Sequence, residues 1–170
     1  MLIDEWGDEW QTRAKYSSEG FFEIEHGTEL VDAFNNWPSN DSKNSNLTAL
    51  LNTRPSIRRC ISAVIETGHT EDPTCYIVKE HRNENAESKN FDVRGVAICD
   101  LPMNQRHAML CAIEYNECRN SGQPSFYHID QRVDELDRAY RRIIIPSKRE
   151  NGRTTELCVM SRKIMRPSLV

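Results

Sequence analysis

The chain has 170 residues, enough for one domain with a real core and too few for two of ordinary size. Its 22 Lys and Arg against 26 Asp and Glu give a net charge of -4, so no overall field attracts phosphate backbones or anionic membranes, and nucleic acid is disfavoured as a partner. No stretch approaches the roughly 20 apolar residues of a membrane helix, and "MLIDEWGDEW" is acidic where a secretory signal is basic, so the expectation is a soluble, cytoplasmic protein with no membrane partner.

Residues 1–27 mix acids with Trp6, Trp10, Phe21 and Phe22 in a weak periodicity, the pattern of a flexible lead or of a segment that docks on something. "TELVDAFNNW" predicts a short helix with Thr28 as N-cap and Leu30, Val31 and Phe34 on one face. "PSNDSKNSN", residues 38–46, reads as a linker, because Pro, Ser, Asn and Asp compete with regular backbone hydrogen bonding. In residues 56–68, Ile57, Cys60, Ile61, Val64 and Ile65 fall at steps of three and four between Pro55 and Gly68. The spacing predicts an amphipathic helix, with a strand as the alternative that the β-branched content allows.

"TCYIVKEH" (74–81) and "FDVRGVAICD" (91–100) read as two strands of a hairpin with a long tip, Gly95 marking a bulge or a close backbone approach. "NQRHAMLCAIEYNECRNSG" (104–122) has the longest helical pattern, with His107, Leu110, Cys111, Glu114, Tyr115 and Cys118 on one side and Gly122 past its end. Three β-like runs follow, at 124–133, 138–147 and 154–164, with "KRENG" as a hairpin turn, which makes an antiparallel meander. In the second run Tyr140, Arg142, Ile144 and Pro146 alternate with Arg141, Ile143 and Ile145. Ile144 is expected in the core, Arg141 and Arg142 at a wet rim, and Pro146 at the end of the pairing. Two strands, a helix and three strands, preceded by helices, give an α+β domain: a five-stranded antiparallel sheet with helices over one face.

The segment "ECRNSGQPSFYHIDQRVDELDRAYRRIIIPSKRENGRTTELCVMSRKI" resembles the second half of a PAS domain, of the small, mostly alphaproteobacterial, group of PAS-like proteins. Ser121, Gly122 and Pro124 match its Thr/Ser-Gly-x-Pro turn. Tyr140, Arg142, Ile143, Ile144, Ile145 and Pro146 match its Y-x-R-[hydrophobic]3-P strand, and Gly152 and Arg153 its last turn. "LPMNQRHAML" lacks the family's G-x-[DN]-[LY]-x-G segment.

The resemblance implies an N-terminal helical extension and linker over 1–46 and a PAS-like domain over 47–170. It implies a non-enzymatic sensory or interaction module that signals through contacts with an unidentified signalling protein, as a homodimer paired through its N-terminal helices and outer sheet face. Any small-molecule ligand would sit between helix and sheet, among Tyr76, His107, Cys111, Tyr115, Phe126, His128, Tyr140 and Met160. The alternative is that these side chains simply fill the core. The cofactor, if any, stays unknown.

The strong catalytic and metal signatures are absent from the sequence: no Gly-rich phosphate loop, nucleophile elbow, His-Glu-x-x-His or Cys-x-x-Cys. The six cysteines (Cys60, Cys75, Cys99, Cys111, Cys118 and Cys158) are scattered and read mainly as buried thiols. "NECRN" does not provide the surroundings of a flavin-adduct cysteine. Two rival readings remain: a small α+β enzyme using Asp130 and His128, and a nucleic-acid binder using Arg132, Arg138, Arg141, Arg142 and Arg153.

Overall fold

The structure, a computed structural model, describes residues 2–6, 8–37, 50, 52, 54–83, 92–133 and 135–165. The expected linker over 38–46 lies outside these residues. Among them the strands are β1 (Leu2–Trp6), β2 (Glu9–Tyr16), β3 (Ile61–Glu66), β4 (Ile77–Arg82), β5 (Ser125–Val133), β6 (Leu136–Glu150) and β7 (Arg153–Lys163). The helices are α1 (Ser18–Ile24), α2 (Glu29–Asn36) and α3 (Gln105–Ser121), with 3-10 turns at Pro55–Arg59, Pro73–Cys75 and Ile98–Asp100.

The fold is α+β, as expected, and the meander β5-β6-β7 is present. The sheet order is β1-β2-β5-β6-β7-β3-β4, with every neighbouring pair antiparallel. Four of these strands, β4 to β7, are expected ones, and β3 takes the place in the sheet of the strand expected over 91–100. The other two come from residues expected to be a lead into helices: "EWQTRAKY" pairs along β5 from Trp10↔Arg132 to Tyr16↔Phe126. Its polar alternation conceals a strand, because its covered residues are Gln11 and Arg13, buried polar side chains rather than apolar ones.

Residues 56–68 are a 3-10 turn followed by strand β3, not a helix. β3 lies between β7 and β4 and is covered on both faces, so the adjacent Val64 and Ile65 are both buried, on opposite sides. An apolar strand buried on both faces has no alternation, and its spacing mimics a helix. Residues 92–100 are not a regular strand. Gly95, at φ 80°, turns the chain, leaving an isolated bridge between Ala97 and Ile77. Backbone bonds still tie this segment to β4's neighbourhood, from Gly95 N–H to Val78 O (2.7 Å) and from Ile98 N–H to Tyr76 O (2.9 Å). The hairpin partner of β4 is therefore β3.

Pro146 does not end β6. The strand runs on to Glu150, and the register shifts between Pro146 and Lys148, so the missing N–H falls at an irregularity. Asn151 and Gly152, both at positive φ, close the β6-β7 hairpin as a two-residue turn.

Helices cover both faces of the sheet. On one, α1 and α2 bring Phe21, Leu30 and Ala33 onto Phe126, Ile143, Ile145, Cys158 and Met160. On the other, α3 packs Ala108, Cys111, Ala112, Tyr115 and Cys118 over Tyr127, Ile129, Ile144, Leu157 and Val159. α3 starts where Asn104 accepts the N–H groups of Arg106 and His107, and it ends where Gly122, at φ 63°, donates its N–H to Cys118 O. Ile144 is fully buried, as expected.

Candidate functional site

Between α3 and the sheet lies a cavity of about 800 Å³, within the size range of small-molecule sites. Its apolar walls come from β3 (Ile61, Ala63, Ile65), Val78, Ile98, Leu101 and Val159. Its polar groups are His107 and Cys111 on α3, Gln131 on β5, Arg138, Tyr140 and Arg142 on β6, and Ser161 on β7. The wall also includes Arg82, Arg94 and Asp92, so four arginines face one carboxylate. Arg94 is itself paired with Asp92.

The polar side is built on one buried carboxylate. Glu114, 1% exposed, accepts from Arg13 Nη1 at 3.0 Å and from Arg142 Nη1 at 2.5 Å, and Arg13 also donates to Leu110 O at 2.8 Å. Arg142 Nε donates to Ser161 Oγ at 3.0 Å. Two guanidiniums against one carboxylate leave an excess positive charge in a place shielded from water, which favours a further negative group nearby. The atom beside it is Cys111 Sγ, 3.5 Å from Arg142 Nη1.

His107 stands one turn before Cys111, with Nε2 3.8 Å from Sγ. Its other nitrogen, Nδ1, is 3.0 Å from Gln11 Oε1, and with that oxygen accepting, Nδ1 carries the proton and Nε2 is free to take the thiol's. Burial alone pushes the Cys111 thiol up, but the charges of His107 and Arg142 outweigh it and bring the thiol down to about 7. The reciprocal effect, chiefly the Cys111 charge, raises His107. Burial pushes the hydroxyl of neighbouring Tyr115 far up, so it stays protonated.

Of the eight residues expected to share a pocket, His107, Cys111, Tyr115 and Tyr140 line this cavity. Tyr76 is in the same core, but its hydroxyl turns to Asn116 Oδ1 at 2.9 Å, and it does not line the cavity. Phe126, His128 and Met160 are on the other face of the sheet. Phe126 and Met160 pack under α1 and α2, and His128 contacts Arg141. Strand alternation decides this: Phe126 and His128 share parity with each other, while Tyr127 and Ile129 meet α3.

Arg141 and Arg142 are not rim charges. Arg142 is 7% exposed and paired with Glu114, and Arg141 lies against Glu25, itself buried and held bidentately by Arg162 at 2.8 Å. The alternation of Arg142 with the core residue Ile144 is the signal that could have placed it inside. Nothing in the sequence pattern marks Gln11 or Arg13, since they reach the site only through the pairing of β2 with β5. Cys118, the thiol of "NECRN", is buried against Gln123 O and Ile144 O, away from the cavity wall. Among the described residues, no group of three or more His, Cys, Asp or Glu is placed to hold a metal ion. No helix among them is long and apolar enough to cross a membrane.

No family model and no curated protein matches the chain. Among solved structures it is similar to a sensory box sensor histidine kinase from Vibrio cholerae, at 15% identity and TM-score 0.49, over 71% of this chain and 90% of that one. It is also similar to a fungal LOV domain photoreceptor, at 8% identity and TM-score 0.42, over 88% of this chain and 96% of that one. At these values neither likeness bears on the chemistry of the site, which rests on this chain's own residues.

Proposed function

We propose that the chain is a PAS-like sensory or interaction module that takes a small molecule into the cavity between α3 and the sheet and passes the state of that site to another protein. The observation that supports this most directly is the cavity itself, 800 Å³ with apolar walls and a few convergent polar groups. The cationic excess of its wall favours a ligand with an apolar body and an anionic or acceptor group. The enzyme reading loses its acid and base, because His128 is tied to Arg141 on the opposite face and Asp130 shares its parity on β5. Pairing of two copies belongs to the same proposal, although the outer sheet face is already occupied by the chain's own α1 and α2.

Native mass spectrometry of the purified chain tests both parts, since it reports bound small molecules and oligomeric state together. The expected result is a non-covalently bound small molecule that is lost when Ala63→Trp fills the cavity. A chain that carries none and gains none from clarified lysate refutes the ligand reading, as does a ligand retained by Ala63→Trp.

A further inference from the structure

Cys111, His107 and Gln11 form a chain of contacts that the binding role does not need. A nucleophile within reach of a base, with the base oriented by a third group, is the general arrangement of an activated side chain, and such distances are commonly longer before a substrate binds. Here the steps are 3.8 Å from Sγ to His107 Nε2 and 3.0 Å from Nδ1 to Gln11 Oε1, with Arg142 Nη1 3.5 Å from the sulfur. The sulfur faces the cavity rather than bulk water. A second feature of the same cavity is an unmet polar group: Gln131, 2% exposed, has a side-chain Oε1 with no hydrogen-bond partner. A buried amide oxygen without a partner is costly and awaits a donor from whatever occupies the space.

We infer that Cys111 is a nucleophilic thiol that covalently captures an α,β-unsaturated carbonyl compound admitted to the cavity. This rests on the cavity being a ligand site, and it names the class of ligand. Cys111 gives its proton to His107 Nε2, and the sulfur lone pair forms an S–C bond at the β-carbon. The C=C π pair shifts onto the carbonyl as an enolate, and the imidazolium returns the proton to the α-carbon. Nothing leaves and no oxidant is consumed. The apolar walls suit the carbon body, and the guanidinium of Arg142 beside the sulfur stabilises the anionic stages. The product is a lasting adduct under α3, which suits a sensor of electrophiles. The charged and titratable groups around the sulfur are His107, Glu114 and Tyr115 on its own helix, Arg13 from β2 and Arg142 from β6.

The test uses N-ethylmaleimide on the full chain carrying Cys75→Ser and Cys99→Ser, which removes the exposed and half-exposed thiols. The other three, Cys60, Cys118 and Cys158, are buried, and burial pushes each thiol up, Cys60 and Cys118 to about 12. The expected result is a single adduct on Cys111 in the folded protein, with a rate-pH midpoint below the free-thiol value of about 8.5. His107→Gln is expected to move that midpoint up and lower the rate at pH 7 by about fivefold, the thiolate lost when a midpoint of about 7 rises by about one pH unit. Gln11→Met, which removes only the group orienting His107, is expected to lower it less. An unmodified Cys111 in folded protein, or a pH profile unchanged by His107→Gln, overturns the inference. Native mass spectrometry separates the two ideas. A bound small molecule with an inert Cys111 overturns this inference and leaves the ligand site standing, whereas a reactive Cys111 in a chain that binds nothing else supports the thiol chemistry alone.

Discussion

Glu114 compensates two buried guanidiniums at once. It is 1% exposed and is the shared partner of Arg13 and Arg142, which are 8% and 7% exposed. Glu114→Gln keeps the shape and one acceptor oxygen but removes the charge, so two buried guanidiniums lose their compensation. Removing one partner of a buried pair costs about 3–5 kcal/mol, and the retained oxygen places this change near about 3 kcal/mol. For a chain of this size that lowers Tm by roughly 6–12 °C. Denaturant titration with a two-state fit is the assay, read with the circular dichroism of the folded baseline. The triple change Arg13→Met, Glu114→Leu, Arg142→Met is expected to recover most of the loss, because the cost lies in unpaired charge rather than in the pair's own worth. A loss below about 1 kcal/mol for Glu114→Gln would refute the reasoning, since it would mean that water reaches these groups. The same substitution is expected to lower the Cys111 thiol further, because the Glu114 charge pushes it up.

Three further outcomes can be measured. Ile144→Ala removes a side chain with no exposed surface from the core under α3 and is expected to cost about 2–5 kcal/mol in denaturant titration. Gly122→Ala forces a left-handed residue at φ 63° and brings a Cβ to 2.4 Å from the Arg149 guanidinium, which must move aside; a loss of about 1–2 kcal/mol is expected, seen as a lower denaturation midpoint. Tyr140→Ala is expected to weaken any cavity ligand's binding while His128→Ala leaves it unchanged, because Tyr140 lines the cavity and His128 lies on the other face; titration calorimetry with the ligand identified by native mass spectrometry checks the pair.

By itself the sequence determined the elements whose patterns are local. α3 was legible because its covered side repeats every three or four residues and because Asn104 and Gly122 cap it through their own neighbours. The meander was legible because its strands are joined by short connections, with Asn151 and Gly152 supplying the positive φ that the last turn requires. His107, Cys111, Tyr115 and Tyr140 could be placed near one pocket because they sit on those elements.

Only the tertiary structure decided the rest. β3 was indistinguishable from a helix because cover on both faces erases alternation, and cover is a property of neighbours distant in sequence. β2 joined the sheet through Gln11 and Arg13, polar residues whose burial makes sense only beside His107 and Glu114. For the same reason the site was half visible: a carboxylate that needs two arginines from separate strands, and a histidine oriented by a glutamine 96 residues earlier, are electrostatic and hydrogen-bonding requirements met across the fold, and no local pattern records them.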